Sequence, residues 1–498
     1  MKLKELLKGV EILETQGDLN TQITALSMDA DAKNPGGLFF CYKGVEADGH
    51  DFFQSAENNG AAALIVEKFL PSRLPQIKVK NTRLIIGAAC SNFYGNPDKK
   101  LRIVGVTGTN GKTTTTYILR GILKTAGFKV GLIGTTSIYI DEICYPAHMT
   151  TPDPPELYKL FFNMANAGCE FVVMEVSAHA LDLLKVWGIQ YEAGIFTNLS
   201  QDHLDYFKTM KEYAAAKQKF FSKDYCKACI INIDDETGRG YFEKCNTAKF
   251  SYGLINPADA FAVNLKMDLK GSSFVCNVLD NILHLELKFA GKFNIYNTLA
   301  SVLACKILGV SNEMIAAGAA SLVQVEGRFN VHDYNGINVI IDYAHTPLSL
   351  ENILKNVKAL INKNGKIICV FGCGGNRDKL KRPVMGKIAV QYSDTVIITS
   401  DNPRFEQPLD IIEQIKLGIN EDEYKVITNA DRKSAIFTAL NIAKAHDAVV
   451  ICGKGAEDYQ EINGIKYPFK DKLIVEEYFK AEGAGKIKTK SRGRILKY

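Results

Sequence analysis

The stretch LRIVGVTGTNGKTTTTYILRGILKTAG, Leu101 to Gly127, decides the fold, because an apolar β-branched run leads through a glycine-rich turn into a helical pattern. Gly108 and Gly111 allow positive φ, so that successive backbone N–H groups can surround phosphate oxygens at the start of the helix. Lys112 can then reach the β and γ phosphates, and the Thr113 hydroxyl is placed to bind Mg²⁺.

The spacing of this loop departs from the common G-x-x-x-x-G-K-[ST] pattern, since Val106 stands where the first glycine would be. The core G-T-N-G-K-T is kept, in the required order of strand, turn and helix. The sequence therefore predicts an ATP site whose loop consists of Gly108, Thr109, Asn110, Gly111, Lys112, Thr113 and Thr114.

Strand-like apolar runs alternate with helical patterns along most of the chain, which indicates α/β domains with largely parallel sheets. The length of 498 residues suggests about three domains. The segment NPDKK, residues 96–100, is typical of a linker, and a second boundary is expected near residues 325–328. We therefore expect an N-terminal α/β domain (1–98), a central parallel-sheet ATP-binding domain of P-loop type (99–326) and a C-terminal Rossmann-like α/β domain (327–498).

The composition is that of an ordinary globular protein, with 46% hydrophobic and 23% charged residues. The net charge of +5 gives no reason to expect a nucleic-acid partner. The closest cysteines, Cys226 and Cys229, have no second pair at zinc spacing, so buried thiols in a reducing cytoplasm are expected. The lack of an 18-residue apolar run predicts no membrane span, and the basic tail 486–498 is expected to be a solvated end.

Three polar clusters follow predicted strands at one edge of the central sheet. Glu175 ends the run FVVME, His203 follows GIFTNL, and the helical segment EYAAAKQKFF carries Lys217. Taken singly, His203 is more often a structural histidine and Lys217 a solvated lysine. Beside a phosphate-binding loop, however, Glu175 and His203 form a reasonable ligand pair for Mg²⁺.

A longer series of motifs resembles one protein family. The order found in the Mur ligases of peptidoglycan synthesis is matched by GTNGKTTT, TTPDPPEL, MEVSAHAL, FTNLSQDHLDYF, GKFNIYN, VEGRF, DYAHTP, FGCGGNRDKLKRPVMG, SDNPR and GKGAEDYQ. The resemblance runs from KGVEADGHDF to YPFKDK, which is nearly the whole chain. Within the family, the chain most resembles the branch that adds the third residue to UDP-N-acetylmuramoyl-L-alanyl-D-glutamate.

The resemblance implies a reaction in two steps. ATP phosphorylates the D-glutamate γ-carboxylate of the UDP-muramoyl dipeptide, and the amine of an incoming amino acid attacks the acyl phosphate. Such chemistry needs charge neutralisation, and the family assigns catalytic roles to Lys112, His203 and Lys217. The implied Mg²⁺ ligands are Thr113, Glu175, His203 and a carbamylated Lys217. Further nucleotide contacts are implied for Asn294, Asn297, Arg328, Asp342 and His345, although turn or capping roles would be as common for these five without the family.

Several positions differ from the family pattern where the UDP-sugar acceptor should bind. The implied acceptor contacts are Thr150, Thr151, Ser177 and Lys185. The usual Asp-Ser-Arg near the N-terminus is Asp29-Ala30-Asp31, which replaces a cation by an anion. Usual serine, glutamine, arginine and histidine residues are replaced by Ala178, Leu183, Lys185 and Phe207. Either other side chains hold the acceptor, which we favour because the ATP and amino-acid motifs are intact, or the chain is a divergent relative with another or a weakened acceptor.

The loop SDNPR, residues 400–404, indicates which amine is added. In the family, DNPR is associated with meso-diaminopimelate, whose distal end carries both an amine and a carboxylate. Arg404 offers a planar fork for that carboxylate, whereas lysine would place an ammonium against the guanidinium. The implied diaminopimelate contacts are Arg377, Asp401, Asn402, Arg404, Gly453 and Glu457. Ala456 replaces a usual histidine beside Glu457.

Three alternatives stay open at this stage. A lysine-adding ligase is disfavoured by Arg404, and a folylpolyglutamate synthetase-like enzyme should lack the N-terminal KGVEADGHDF segment and SDNPR. A nucleotide-binding paralogue that has lost acceptor binding is favoured by Asp31, Ala178 and Lys185. The leading expectation is a monomeric cytoplasmic ligase that uses ATP and Mg²⁺ on small-molecule substrates.

Overall fold

The computed structural model describes residues 1–45, 47–361, 363–419 and 422–483. These residues form sheets of five, eleven and six strands and a two-stranded hairpin. The three larger sheets follow one another along the chain with helices between their strands, so the expected α/β class and three-domain architecture are confirmed. The basic tail 486–498 lies outside the described residues. Within the described ranges, no helix is long and apolar enough to cross a membrane.

The five-stranded sheet forms the N-terminal domain. Its strands are β1 (Glu14–Gln16), β2 (Ala25–Ser27), β3 (Gly37–Phe40), β4 (Ala61–Val66) and β5 (Gln76–Lys78), in the order β1-β5-β4-β3-β2. The pairs from β2 to β5 are parallel, and β1 is antiparallel to β5. Its helices are α1 (Leu3–Leu6), α2 (Phe53–Asn58) and α3 (Thr82–Phe93), with 3-10 turns at Gly49–Phe52 and Pro97–Lys100. The second turn covers the predicted boundary at 98/99, whose exact position stays a prediction.

The eleven-stranded sheet forms the central domain. Its strands are β6 (Arg102–Thr107), β7 (Val130–Ile133), β8 (Ser137–Ile140), β9 (Ile143–Pro146), β10 (Phe171–Glu175), β11 (Tyr191–Phe196), β12 (Cys226–Asn232), β13 (Ala248–Gly253), β14 (Ala260–Asp268), β15 (Gly271–Val278) and β16 (Asn281–Leu287). Their order is β16-β15-β14-β13-β12-β11-β6-β10-β7-β8-β9. The helices are α4 (Lys112–Thr125), α5 (Pro154–Asn166), α6 (Ala178–Asp182), α7 (Leu204–Phe207), α8 (Met210–Gln218), α9 (Glu236–Lys244), α10 (Lys292–Ile307) and α11 (Asn312–Ser321).

Antiparallel strands at both edges extend the parallel centre of this sheet. The strands from β14 to β7 run parallel, while β15 and β16 on one side and β8 and β9 on the other are antiparallel. The β15–β16 turn places Leu279 and Asp280 at positive φ, the backbone twist that a tight two-residue hairpin requires. The sequence-based description of a parallel sheet was therefore incomplete at its edges.

The glycine-rich turn between β6 and α4 depends on its glycines. Gly111 has φ of 87°, and a Cβ atom there would lie 2.5 Å from Asn297 Oδ1. Gly108 has φ of 148°, and a Cβ atom there would lie 1.9 Å from Thr197 Oγ1. Only glycine combines this backbone conformation with such close neighbours. The turn therefore directs the backbone N–H groups at the start of α4 toward the carboxyl edge of the sheet.

The six-stranded sheet forms the C-terminal domain. Its strands are β17 (Asn330–Tyr334), β18 (Ile337–Asp342), β19 (Ile367–Phe371), β20 (Thr395–Ile398), β21 (Val426–Thr428) and β22 (Ala448–Cys452), in the order β17-β18-β22-β19-β20-β21. All neighbours are parallel except β17 and β18. The hairpin consists of β23 (Tyr459–Ile462) and β24 (Ile465–Pro468), and the helices are α12 (Pro347–Leu360), α13 (Lys381–Tyr392), α14 (Pro408–Lys416), α15 (Arg432–Ile442) and α16 (Asp471–Gly483), with a 3-10 turn at Glu423–Lys425.

The apolar cores show how the domains are joined. One continuous buried cluster contains Leu38 and Ile65 from the N-terminal sheet together with Val172 and Phe196 from the central sheet. The main C-terminal core instead consists of residues from its own sheet and helices, with Ala290 as its buried contribution from the central domain. Because domains move more readily across smaller apolar contacts, we expect the C-terminal domain to be the more mobile partner.

Candidate active site

Lys112 lies in the glycine-rich turn, where its Nζ donates hydrogen bonds to the carbonyl oxygens of Gly108 and Thr109, both at 2.9 Å. Burial lowers the pKa of Lys112, and the nearby Glu175 and Asp202 carboxylates act in the opposite direction. The ammonium is therefore held at the mouth of the turn, where it can exchange loop carbonyls for phosphate oxygens.

Glu175 ends β10 as a fully buried carboxylate. Its Oε1 accepts from Thr113 Oγ1 at 2.9 Å and from the Thr135 N–H at 3.0 Å, while Oε2 accepts from Thr135 Oγ1 at 2.9 Å. Parallel pairing of β10 with β6 sets Glu175 opposite Val106, just before the phosphate turn. The structure thus brings the predicted Thr113 and Glu175 side chains into direct contact.

Lys217 lies on α8 and is 1% exposed. Its Nζ donates to Gly108 O at 3.0 Å and lies 4.6 Å from the centre of the Tyr213 ring. Burial lowers the pKa of Lys217 well below its usual value, and the neighbouring Lys112 ammonium lowers it further. Two lysine side chains therefore converge on one carbonyl oxygen.

His203 precedes α7 in a left-handed backbone conformation, with φ of 56°. Burial lowers its pKa to about 4, although Asp202, whose Oδ2 lies 3.5 Å from Nε2, acts in the opposite direction. The ring also stands edge-on to His179. His203 therefore carries a neutral imidazole with a lone pair at neutral pH.

A cavity of about 460 Å³ lies between the central and C-terminal domains. The predicted site residues in its lining are Thr109, Asn110, Gly111, Lys112, Thr113, Thr114, Thr150, Glu175, Ser177, His203, Lys217, Asn297, Arg328, Asp342 and His345. The remaining nucleotide residues lie next to it: Gly108 is the carbonyl shared by the two lysines, and Asn294 accepts from Asn297 Nδ2 at 3.4 Å. One cavity thus collects the predicted phosphate, metal and nucleotide positions.

The C-terminal side of this cavity is built around Arg328 and Asp342. Arg328 Nη2 donates to Thr113 Oγ1 at 3.3 Å, and its guanidinium lies 4.5 Å from the centre of the Tyr343 ring. The Asp342 carboxylate accepts the N–H groups of Phe329 and Ala344, both at 2.6 Å. Burial raises the pKa of Asp342 to about 6, and Arg328 opposes that shift. Arg328 therefore connects the interdomain segment, residues 322–329 between α11 and β17, to the phosphate turn.

Three of the predicted acceptor residues lie together, since Thr150 and Ser177 line the central cavity and Thr151 is hydrogen-bonded to Ser177. Thr150 Oγ1 lies 3.0 Å from Thr135 Oγ1 in the central cavity. Thr151 Oγ1 donates to Glu175 O at 2.9 Å and accepts from the Ser177 N–H at 3.0 Å. The Ser177 hydroxyl accepts from the Ala180 N–H and so caps α6. These contacts assign internal bonds to Thr151 and Ser177.

Lys185, the other predicted acceptor residue, pairs with Asp153 at 2.8 Å. A separate cavity of about 440 Å³ lies in the N-terminal domain and is lined by Asp29, Ala30 and Asp31. The altered N-terminal motif therefore faces a cavity of ligand size.

The loop after β20 holds Arg404 in a left-handed conformation, with φ of 50°. Its Nε donates to Glu461 Oε2 at 3.2 Å and its Nη1 to Gly375 O at 2.8 Å. The backbone is tied to the β23–β24 hairpin as well, because Arg404 N donates to Glu461 O and Asn463 N donates to Arg404 O. Among the described residues nothing accepts a hydrogen bond from Nη2, so one edge of the guanidinium faces outward.

Other residues that are predicted to bind the amino-acid substrate lie beside this loop. Asn402 is 3% exposed, and its Nδ2 donates to Glu457 Oε2 at 2.9 Å. A Cβ atom at Gly453 would lie 2.3 Å from Asp401 Oδ2, so these two positions are in contact. Asp401 Oδ1 in turn accepts from the Asn402 N–H at 2.7 Å. The structure therefore places four of these residues in one cluster, which we call the amino-acid group: Asp401, Asn402, Gly453 and Glu457.

Arg377 is exposed and approaches the position of Gly374, as Arg404 and the Asn402 carbonyl oxygen also do. A Cβ atom at Gly374 would lie 3.1 Å from Arg404 Nη1 and 3.7 Å from Arg377 Cγ. Two guanidinium side chains thus flank a glycine that has no side chain to separate them.

Sequence reasoning missed three charged residues at these sites. Lys454, fully buried, contacts both Asn402 and Glu457, and Glu461 contacts Arg404. Arg83 lies between the N-terminal and central domains. The GKGAEDYQ motif contains Lys454 and lies next to Glu461 in the sequence, so the signal was present, but a glycine-flanked lysine is typically read as a surface residue.

The interdomain segment also touches the amino-acid group through main chain. A Cβ atom at Gly327 would lie 2.0 Å from Ala456 N, and one at Gly455 would lie 2.6 Å from Gly327 O. Tyr343 N donates to Gly327 O at 2.9 Å. The segment that carries Arg328 is therefore in backbone contact with the loop that carries Glu457.

The three-domain α/β fold and the phosphate turn define a nucleotide-using enzyme whose cavity lies at a domain junction. Family models match most of the chain: the Mur ligase family, catalytic domain, at residues 22–98, the Mur ligase middle domain at 106–305, and the Mur ligase, glutamate ligase domain, at 327–455. The chain belongs to the Mur ligase family. This membership confirms the resemblance and the expected enzyme class, a ligase.

Individual relatives agree with this assignment. The UDP-N-acetylmuramoyl-L-alanyl-D-glutamate–2,6-diaminopimelate ligase 1 of Clostridium acetobutylicum is 44% identical over 486 residues, which cover 96% of this chain and 99% of that protein. The ligase of that name from Aquifex aeolicus is 42% identical, over 93% of this chain and 95% of that protein. A solved structure of such a ligase covers 97% of this chain and 99% of its own, with TM-score 0.70 and 30% identity. A Thermotoga maritima MurF ligase in complex with ADP has TM-score 0.62 at 20% identity, covers 93% of this chain and 98% of its own, and shows the same fold.

Proposed function

We propose that this enzyme uses ATP to join meso-diaminopimelate to the D-glutamate of UDP-N-acetylmuramoyl-L-alanyl-D-glutamate, in the synthesis of peptidoglycan precursors. One observation carries the proposal: a partly exposed Arg404 guanidinium is held by Glu461 and Gly375 in the same loop as Asn402, whose amide donates to Glu457. This arrangement offers cationic and anionic groups to a ligand whose end carries both charges. The names of the relatives support the same substrates.

The chemistry requires that negative charge be neutralised at the nucleotide. Lys112 and Arg328 line the same cavity, where Arg328 donates to the Thr113 hydroxyl, and they can contact the transferred phosphate together. The acceptor γ-carboxylate attacks the γ-phosphorus and ADP leaves, which forms an acyl phosphate. The uncharged amine of the amino acid then attacks the acyl carbon, the C–O bond to phosphate breaks, and phosphate and the amine proton are released. Each step needs the domains to be close, which a mobile C-terminal domain permits.

Mg²⁺ fits the contact between Thr113 and Glu175, because a hydroxyl and a fully buried carboxylate already meet there. When bound, the ion neutralises phosphate charge. His203 offers a neutral nitrogen to a second ion, since burial keeps its pKa low. Within the described ranges no three or more histidine, cysteine or carboxylate side chains form a ready-made metal cluster, so ATP oxygens and Lys217 would complete the ligand sets.

A carbamate fits Lys217. Its Nζ and that of Lys112 donate to the same Gly108 oxygen, and two buried ammonium groups at such a separation repel one another. The lowered pKa of Lys217 favours the neutral amine, which is the form that can add CO₂ and release a proton. The product is an anion that attracts Lys112 and resembles a carboxylate ligand.

We further propose that the UDP part of the acceptor occupies the N-terminal cavity, despite Asp29 and Asp31 in its lining. Arg83 supplies a cation beside this cavity, since its guanidinium lies 4.5 Å from the centre of the Tyr42 ring, which lines the cavity. Its Nε and Nη2 donate to Lys43 O, and its Nη1 donates to Leu183 O across the domain junction. The boundaries at 98/99 and 326/327, a monomeric state and a cytoplasmic location complete the proposal, the last because ATP and UDP-linked precursors are cytoplasmic metabolites.

The decisive experiment measures phosphate release with ATP, Mg²⁺, the UDP-muramoyl dipeptide and either amine. We expect turnover with meso-diaminopimelate and at least tenfold lower kcat/KM with lysine, because the guanidinium repels an ammonium. Equal or faster turnover with lysine would contradict the choice of amine. A folded, ATP-binding protein that releases no phosphate with either amine would instead indicate a nucleotide-binding paralogue.

Replacing Arg83 by methionine is expected to raise the KM for the UDP-muramoyl dipeptide about tenfold, because one charge-assisted hydrogen bond contributes about 1.5–3 kcal/mol. The KM for ATP should stay within about twofold, since the nucleotide cavity lies elsewhere. Steady-state kinetics with each substrate varied in turn measures both values.

The matched control for this substitution is Arg73→Met, which removes an exposed arginine from the same domain. It should leave both KM values unchanged. An equal change in the two arginine variants would show that net domain charge, rather than the position of Arg83, determines acceptor affinity.

A further inference from the structure

The side chain of Lys454 carries a fully buried ammonium group in the C-terminal domain. Its Nζ donates to Asn402 Oδ1 and to Glu457 Oε2, each at 2.9 Å, and lies 5.4 Å from the centre of the Tyr459 ring. A buried charge is costly unless it is paired and hydrogen-bonded, and this one has both kinds of partner. Lys454 therefore belongs to the hydrogen-bond network of the amino-acid group.

The contacts around Asn402 determine which way its amide points. Oδ1 accepts from Lys454 Nζ and from the Glu461 N–H at 3.0 Å, while Nδ2 donates to Glu457 Oε2. A flipped amide would place NH₂ against an ammonium and a backbone N–H, and an oxygen against a carboxylate. The lysine therefore selects one orientation of a side chain that otherwise has two.

The two carboxylate oxygens of Glu457 have different surroundings. Its Oε2 accepts from both Lys454 and Asn402, whereas no hydrogen bond from the described residues reaches Oε1. The side chain is 22% exposed, so Oε1 can face a ligand. The carboxylate is thus fixed through one oxygen and available through the other.

We propose that Lys454 is a positioning residue for the amine substrate: it fixes the Asn402 amide and turns Glu457 Oε1 toward the ammonium of the bound amino acid. The inference rests on the proposed function, in which this group binds a doubly zwitterionic amino acid. Lys454 itself is fully buried and acts through its two neighbours.

Lys454→Met keeps the length of the side chain and removes the charge. The KM for meso-diaminopimelate is expected to rise about 30-fold, because a buried charged partner is lost and the amide can rotate. The KM for ATP should change less than about twofold, since the nucleotide cavity is formed by other residues. Amine KM, ATP KM, kcat and the thermal midpoint of the variant are measured together.

Lys466→Met is the matched control, because Lys466 is exposed and lies 4.3 Å from the centre of the same Tyr459 ring, on the neighbouring strand. It should leave the amine KM unchanged. A similar rise of the amine KM in both variants would overturn the inference, because amine affinity would then depend on the Tyr459 ring or on net charge.

A double-mutant cycle with Glu457→Gln separates positioning from general destabilisation. If Lys454 acts through Glu457, the effect of Lys454→Met on amine KM should be several-fold smaller in the Glu457→Gln background. Multiplicative, independent effects would overturn the inference. Its failure differs from a failure of the proposed function, which would appear in the unsubstituted enzyme as preference for lysine or as no turnover.

Discussion

Replacing Lys217 by methionine is expected to lower kcat about a thousandfold while ATP affinity changes only a few-fold. The methionine fills the same buried volume beside Tyr213 but can neither form a carbamate nor donate to Gly108 O. The negative charge of a carbamate on Lys217 would attract the Lys112 ammonium and complete a metal ligand set. Groups that stabilise charge in this way contribute about 10²–10³ in rate. Single-turnover phosphate release and equilibrium nucleotide binding measure the two effects.

Lys219→Met provides the control for Lys217, because Lys219 lies two residues further along and pairs with Asp182 at the surface. Its turnover should match that of the unsubstituted enzyme. Carbamylation itself is observed by ¹³C NMR after equilibration with labelled bicarbonate, and the carbamate signal should be lost in Lys217→Met but not in Lys219→Met. An active Lys217→Met enzyme, or a signal that persists in it, would refute the proposed modification.

Arg404→Lys is expected to raise the KM for meso-diaminopimelate about a hundredfold. Arg404 donates from Nε to Glu461 and from Nη1 to Gly375 O, and its Nη2 stays available for a ligand. A lysine ammonium cannot replace all three donors of the planar guanidinium. Loss of charge-assisted bonds to a carboxylate accounts for an effect of this size. Steady-state kinetics with varied amine, at saturating ATP and acceptor, measures it.

Phe405→Ala is the control for this loop, since Phe405 follows Arg404 directly and is 69% exposed. It should leave amine KM within about threefold. An unchanged amine KM in Arg404→Lys would show that the guanidinium does not bind the distal carboxylate.

The fold was predictable where its signals are local. The run from Leu101 to Gly127 contains its strand, turn and helix within one window, and the structure has β6 and α4 there. The β14–β16 meander was missed, although β15 alternates buried and half-buried residues as a half-covered strand should. Its turn uses Leu279 and Asp280 rather than Asn-Gly, so the usual hairpin signal was lacking.

The structure brings many of the predicted site residues together, but the contacts between them could not be predicted from the sequence. The motif order identifies Asn402, Arg404 and Glu457, but burial and pairing depend on contacts between loops that are distant in sequence. Lys454 lies 52 residues from Asn402, and no local pattern indicates that its ammonium is buried against that amide. Likewise, the sequence does not indicate that Lys112 and Lys217 share the Gly108 oxygen.

The contact between Gly327 and Gly455 has a consequence for the spacing of the two substrates. Both sides of the contact are main chain, and neither position has room for a methyl group. Side chains can change rotamer to fill or open a gap, but backbone atoms in van der Waals contact cannot come closer. The main-chain distance between Arg328, which would contact phosphate, and the loop of Glu457, which would hold the distal end of the amino acid, is therefore set by backbone contact and not by side-chain rotamers.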